Sequence, residues 1–301
     1  MTSTNKTLIL VGGTGGLGYE VAKGLITAEV FDKAVALVRP SASDEKIENL
    51  REIGWVVEKV DFDDADALLS LLSGAKVVVS TLSGADIVSL ETKIIDAAQS
   101  SGASLFVPSQ FGFDYRRWIG EFPVFQGKRA VLAHAEKVGL SSLSVFTGAF
   151  SDVIFDFLAD IAKMEATLVG GGTSKYSFTK RSDIGFVLAK ALADPRYANG
   201  GFLSMQGDCM PWVDALSLIE KVTGKKFTYT EIDGEDALAQ EKALLEKGDM
   251  ASFYQAFGLH LLGDPARGSE GCDVSGEAVT LGVVMEPLEK TLEARFCIGD
   301  Q

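Results

Sequence analysis

The sequence predicts an α/β fold built on a doubly wound parallel sheet, with a smaller second lobe. Two observations carry this. Short apolar runs alternate with amphipathic helical stretches from residue 7 to about 146, and parallel strands need such a crossover helix between them. The first strand also runs straight into the glycine-rich turn Gly12-Gly13-Thr14-Gly15-Gly16-Leu17-Gly18, which opens the first helix.

In chain order, residues 7–11 (TLILV) read as a buried strand, and Leu17, Val21, Ala22, Leu25 and Ile26 follow at helical spacing. Residues 34–38 (AVALV) form the second strand, 45–53 a short helix and 56–60 the third strand. Asp61-Phe62-Asp63-Asp64 then caps a helix over 65–72. A strand at 77–80, a helix at 88–98, a strand at 105–107, a helix at 127–138 and a sixth strand at 143–146 continue the pattern. After about Phe150 the alternation weakens, and glycines cluster at 170–172 and 200–201. Residues 182–192 and 212–222 read as helices, 202–205 as a strand and 235–247 as an acidic helix. The expected division is a domain over 1–155 and a smaller substrate-binding lobe over 156–301, interleaved with the core at the carboxyl edge of the sheet. Ligands of such sheets sit at that edge.

The glycines at 12, 15 and 18 give G-x-x-G-x-x-G. Small residues there permit a tight turn and let backbone N–H groups approach a pyrophosphate at a helix N-terminus. On the first strand–helix turn of a βαβαβ chain, this spacing marks a Rossmann-type dinucleotide site. Arg39 ends the second strand, where NAD-binding chains usually carry an acidic residue. A guanidinium grips a 2′-phosphate with two donors, so the expected cofactor is NADP(H), with Lys46 at the next helix start assisting.

Lys and Arg number 28 against 42 Asp and Glu, a net charge of −14. Such a chain repels phosphate backbones and anionic lipid, which argues against nucleic-acid and membrane partners. The cysteines Cys209, Cys272 and Cys297 are odd in number and lack Cys-x-x-Cys spacing, which argues against a disulfide framework or a zinc site. Neither histidine, His134 nor His260, has metal-ligand spacing, so no metal is expected. Residues 1–6 are polar and no run approaches the ~20 apolar residues of a membrane span. The expectation is a cytoplasmic monomer or homodimer whose partner is a small-molecule substrate.

With these residues in hand, the chain resembles the NmrA-like and isoflavone-reductase-like families of atypical short-chain dehydrogenases. The matching features are the GGTGGLG loop, Leu37-Val38-Arg39-Pro40, Val60-Asp61-Phe62-Asp63-Asp64 and Ser80-Thr81-Leu82. They continue with Pro108-Ser109-Gln110-Phe111-Gly112, Lys128 opening a helix, and Asp183-Ile184-Gly185. The resemblance implies that Thr14, Gly16, Leu17, Arg39, Thr81 and Leu82 line the NADP site. It implies Asp61 and Phe62 near the adenine, Phe111 and Lys128 near the nicotinamide ribose with Gln110 among the cofactor-binding residues, and Lys128 as the polar group at the reaction centre. One position departs: those reductases usually have Pro-Ser-Glu-Phe-Gly, and here Gln110 replaces the Glu. A neutral amide cannot act as a carboxylate base.

Hydride transfer needs a polarised acceptor, and Lys128 can donate a proton or hydrogen bond as charge grows on oxygen. Desolvation beside an apolar ring would lower its pKa toward a useful range. Tyr176 and Lys180 match Tyr-x-x-x-Lys, but their context alternates aromatic and hydroxyl residues as a strand does, which separates the pair by ~13 Å. Phe113, Tyr115 and Trp118, with Phe150, are candidate contacts for a flat, apolar substrate; an aromatic loop that merely packs on the lobe reads equally well. The leading expectation is an NADPH-dependent reductase of a small aromatic or polycyclic metabolite. A non-redox isomerase or rearrangement enzyme that keeps NADP bound, and an NADP-sensing regulator, remain open.

Overall fold

The computed structural model describes residues 6–117, 123–263 and 279–296. Its strands are β1 (Thr7–Val11), β2 (Lys33–Val38), β3 (Val56–Lys59), β4 (Ala75–Ser80), β5 (Leu105–Val107), β6 (Leu143–Phe146), β7 (Ala149–Phe150), β8 (Ala159–Asp160), β9 (Glu165–Val169), β10 (Lys175–Thr179), β11 (Gly201–Ser204), β12 (Asp208–Pro211) and β13 (Thr228–Ile232). The helices are α1 (Gly16–Leu25), α2 (Asp44–Glu52), α3 (Ala65–Leu71), α4 (Ile87–Ser100), α5 (Pro123–Val138), α6 (Ile154–Leu158), α7 (Arg181–Ala193), α8 (Trp212–Thr223), α9 (Gly234–Lys247), α10 (Met250–Gly263) and α11 (Leu288–Phe296).

The centre is a five-stranded parallel sheet in the order β3-β2-β1-β4-β5. Beside β5, a bridge from Phe106 to Ser142 leads into β6, which pairs in parallel with β11. The order reverses between β1 and β4, and that switch point opens the crevice where such sheets bind ligands.

Strand alternation sorts the core into two faces. Leu8, Leu10, Ala36 and Val38 pack against Val21 and Leu25 of α1 and Ile184 and Leu188 of α7. Ile9, Val11, Leu37 and Val78 pack against Leu68 of α3, Ile94 and Ile95 of α4 and Val131 of α5. Successive side chains point to opposite faces of a strand, so β1 carries Leu8, Ile9, Leu10 and Val11 in unbroken succession, and every residue of β1 is buried.

The chain beyond residue 155 supplies both α7 and β11 to this first layer. With β7 and Phe155 from just before it, it also forms two small sheets, β12-β10-β7 and β13-β9-β8, and an aromatic core around Trp212, Phe155, Phe178 and Phe253. Three differences from the sequence expectations matter. Helix α5 begins at Pro123, four residues earlier than the expected 127; a proline suits a first helical turn because its N–H would have no partner there. Lys128 therefore lies in the second turn and does not open the helix. Helix α10 and strands β9 and β13 were not expected. The Tyr-x-x-x-Lys match is extended, as read: Tyr176 lies in β10, and Lys180 is pinned by Glu286 at 2.8 Å. His134 bonds Asp96, and His260 is buried against Glu241. Cys272, Cys297 and Trp118 lie outside the described residues. Among the described residues, no helix is long and apolar enough to cross a membrane.

Helix α7 reaches its place only because two glycines meet two backbones. A Cβ on Gly24 would lie 2.2 Å from the Gly185 carbonyl carbon, and one on Gly185 would lie 2.4 Å from the Val21 carbonyl oxygen. Gly185→Val is expected to lower stability by about 3 kcal/mol or more, since overpacking against rigid backbone cannot relax through a rotamer. Urea unfolding measures this; a loss below about 0.5 kcal/mol, the scale of an ordinary surface change, would show that the helices separate freely.

Candidate active site

The glycine turn is tightly drawn. Gly12 has φ +87° and its carbonyl accepts from the Gly15 N–H at 2.9 Å. A Cβ on Gly12 would meet the Thr81 backbone at 2.9 Å, and one on Gly18 would meet the Gly12 oxygen at 2.1 Å. Thr81 closes the fork from β4, with its N–H and its hydroxyl both donating to the Val11 carbonyl at 2.9 Å. Gly12 and Gly18 therefore serve backbone approach, while Gly15, Gly16 and Leu17 face a cleft of about 870 Å³ at the N-terminus of α1. The first N–H groups of a helix have no intrahelical partners and favour an anion, so this turn fits the pyrophosphate of a dinucleotide.

Other expected cofactor residues lie along the same carboxyl edge. Thr81 and Leu82 line the cleft. Arg39, two residues beyond the β2 position that pairs with Val11, is exposed, as is Lys46 on α2. The Val60 N–H donates to the Val38 carbonyl, which carries Asp61 and Phe62 to the neighbourhood of Arg39; Phe62 is buried and Asp61 exposed. Thr14 is half-buried in the turn.

The cleft continues to Lys128, Phe111 and Phe150. Lys128 Nζ donates to the carbonyls of Gln110 at 3.1 Å and Phe111 at 3.2 Å. Burial pushes this half-buried amine down to about 8, against the attraction of Glu91, which favours its charged form. A base in this range donates and recovers protons near neutrality. Gln110 is fully buried; its Nε2 donates to the Lys128 carbonyl at 3.2 Å, and its side chain does not line the cleft.

The aromatic residues separate into two groups. Phe113 packs edge-on against Phe125, and Tyr115 stacks on Phe125 in the second-lobe core. Of the substrate candidates among the described residues, Phe113, Tyr115 and Phe150, it is Phe150 that lines the cleft.

Among the wall residues that sequence reasoning did not single out are Glu91, Arg181, Met250 and Tyr254. Glu91 is 1% exposed. It occupies the buried stripe of α4 with Ile94, Ile95 and Ala98, so the available signal was a carboxylate set into an apolar helix face. Arg181 starts α7 and bonds Asp152 at 2.8 Å, with its NH1 set against Gly16. Met250 and Tyr254 come from α10, which the sequence reading did not foresee.

The sequence model of the NmrA-like family matches residues 4–283. Isoflavone reductase homolog P3 of Arabidopsis thaliana is 25% identical over 255 residues, covering 79% of this chain and 81% of its own. Phenylcoumaran benzylic ether reductase 1 of Arabidopsis thaliana is 29% identical over 255 residues, covering 80% and 82%. Among solved structures, the leucoanthocyanidin reductase–NADPH complex from Vitis vinifera superposes with a TM-score of 0.80 at 20% identity, covering 97% of this chain and 99% of the other. AtPrR2 with NADP+ and (+)-pinoresinol gives 0.79 at 22% identity over the same shares.

The depressed amine is directly measurable. The Lys128 ¹³Cε resonance is expected to titrate with a midpoint near 8, against about 10.4 for an unperturbed lysine. A Lys128 midpoint above 10 would mean that the amine is solvated.

Proposed function

The chain belongs to the NmrA-like family, and from that premise we propose that it is an NADPH-dependent reductase of a small, flat aromatic or polycyclic metabolite. The observation that carries this reading is Lys128, whose amine donates to the Gln110 and Phe111 carbonyls at the wall of a cleft that begins at the glycine turn. Relatives named as isoflavone and phenylcoumaran benzylic ether reductases support it, as do the NADP(H)-bound neighbours of the same fold.

A bound NADPH supplies the hydride. The chain supplies position and a proton. The Gly15–Leu17 turn holds the pyrophosphate, Arg39 with Lys46 grips the 2′-phosphate, and Asp61 and Phe62 flank the adenine. Leu82 and Phe150, with Met250 and Tyr254, give the cleft apolar walls that exclude water from the reacting bond. Lys128 donates to the substrate atom on which negative charge develops. Its pKa near 8 leaves the ammonium predominant at neutral pH and removes it as the pH rises through 8, so turnover has an alkaline limb there. The carboxyl-edge lobe beyond residue 155 is the substrate-binding part, since it brings Arg181, Met250 and Tyr254 to the cleft.

Arg39 is expected to set cofactor choice. A charge-assisted contact to the 2′-phosphate contributes about 1.5–3 kcal/mol, so Arg39→Ala should weaken NADPH binding roughly tenfold to a hundredfold while NADH binding hardly changes. Calorimetric titration of both cofactors checks this; equal affinity for the two in the native protein would overturn the assignment.

Lys128→Ala should lower kcat by ~10²–10⁴-fold with NADPH affinity within a few fold, because the ammonium acts where charge grows and that charge is absent from the binary complex. With (4R)- and (4S)-deuterated NADPH, label should enter the product from one isomer only. Product formed without label from either would replace reduction by a rearrangement, and cofactor binding without turnover of any candidate substrate would favour a sensor.

A further inference from the structure

A carboxylate rarely faces a core. One turn along α4 from Ile94 and Ile95, Glu91 replaces the apolar side chain that the helix pattern calls for, at the end of the helix that meets the cleft. Burying a lone carboxylate costs several kcal/mol unless charge and hydrogen bonds compensate it. Here three partners offset part of that cost. Glu91 Oε1 accepts from the Ser109 N–H at 2.7 Å, the Ser80 hydroxyl bonds it as well, and the Lys128 ammonium attracts it.

Ser109 is the residue before the two whose carbonyls hold Lys128 Nζ. Glu91 therefore acts on the same amine twice. It fixes the backbone segment that carries the amine's two acceptors, and it supplies the negative charge opposite it. Burial still raises the carboxyl's own pKa, but the Ser109, Ser80 and Lys128 interactions all oppose that rise.

The other charged and titratable groups around Lys128 are already committed. From the loop after β5, Asp114 is locked to Arg116 at 2.6 Å. Tyr115, whose ring lies 6.0 Å from Nζ, has its hydroxyl pushed up to about 12 and stays neutral. On α5 itself, the Arg129 guanidinium lies against the same ring, 5.7 Å from its centroid. Across the cleft, Arg181 of α7 is paired with Asp152. Of these groups, Glu91 is the one whose charge acts on Lys128.

We propose that Glu91 is a positioning residue for the reaction at Lys128, holding the Ser109–Phe111 segment in place and keeping the amine protonated at the cleft wall. This rests on the reading of Lys128 as the donor to substrate. The separation of roles is chemical: the carboxylate touches the loop and the amine's field, while the amine alone meets the substrate.

Glu91→Gln tests it. The amide keeps an oxygen for the Ser109 N–H and can donate to the Ser80 hydroxyl, so the variant should fold, which urea unfolding verifies. Loss of the anion removes an interaction that favours the ammonium. The Lys128 ¹³Cε midpoint in the cofactor-free protein should fall by about one pH unit, and the alkaline limb of kcat should move down with it. At pH 8 kcat should drop roughly fivefold, while at pH 6 it stays close to native, because a pKa one unit lower leaves about a tenth of the amine charged at pH 8 instead of half. An unmoved NMR midpoint in folded Glu91→Gln protein would overturn the proposal. So would a loss of kcat that is uniform across pH, which marks a merely structural role. A midpoint that moves while the kcat limb stays would instead overturn Lys128 as the donor, and with it any catalytic use of Glu91.

Discussion

Three backbones converge where α1 leaves the sheet, and the rest of the molecule is arranged around that contact. The first turn of α1 is wedged into the fork between β1 and β4, close enough that no Cβ fits at Gly12 or Gly18. Thr81 fastens the fork by spending both its N–H and its hydroxyl on the Val11 carbonyl. With α1 so placed, its other side offers Gly24, and only a second glycine, Gly185, can come near enough to dock α7. The position of Arg181 at the start of α7, over Gly16, follows from that docking. A local rule for holding a phosphate thus sets the geometry of the chain 160 residues later.

The reacting end depends on a different balance. Lys128 sits in the second turn of α5, clear of the first unpartnered N–H groups that repel a cation. It is bonded instead by carbonyls from the loop after β5. Burial disfavours its charge and Glu91 favours it; burial is the larger effect, which leaves the amine near 8. An amine so desolvated is more sensitive to one neighbouring charge than a solvated lysine is.

The first half of the fold was legible because β1, β2 and β4 each carry a short, buried apolar run, which a parallel sheet covered on both faces requires. The second half was less so. β13 (TYTEI) is half-exposed, and β9 (EATLV) begins exposed, so neither shows the apolar run of a central strand. α10 (MASFYQAFGLHLLG) is apolar nearly all round, so it lacks the one-sided stripe that marks a surface helix. At the site, the glycine turn and Arg39 spoke through residue type and position. Lys128 spoke only through family resemblance, since a lone lysine on a helix carries no pattern. Glu91 was hidden for the opposite reason: it lies inside a pattern, where a polar residue reads as a blemish. The aromatic loop had two readings, and Phe113 and Tyr115 are found in the lobe core.

Gln110 illustrates why a missing carboxylate need not weaken a site. Its Nε2 donates to the backbone carbonyl of Lys128 itself, tying the loop after β5 to the helix that carries the amine. An ionised carboxylate has no proton to donate, so a Glu in this rotamer would face the carbonyl as an acceptor against an acceptor, in a position with no solvent exposure. An amide makes the bond with no need to take up a proton. The negative charge stands on the other side of the same loop, on Glu91, where the Ser109 N–H and the Ser80 hydroxyl offer donors to a carboxylate. Donor and acceptor requirements on the two sides of a three-residue segment thus account for an amide at 110 and an acid at 91, and the amine between them keeps both its carbonyl partners and its counter-charge.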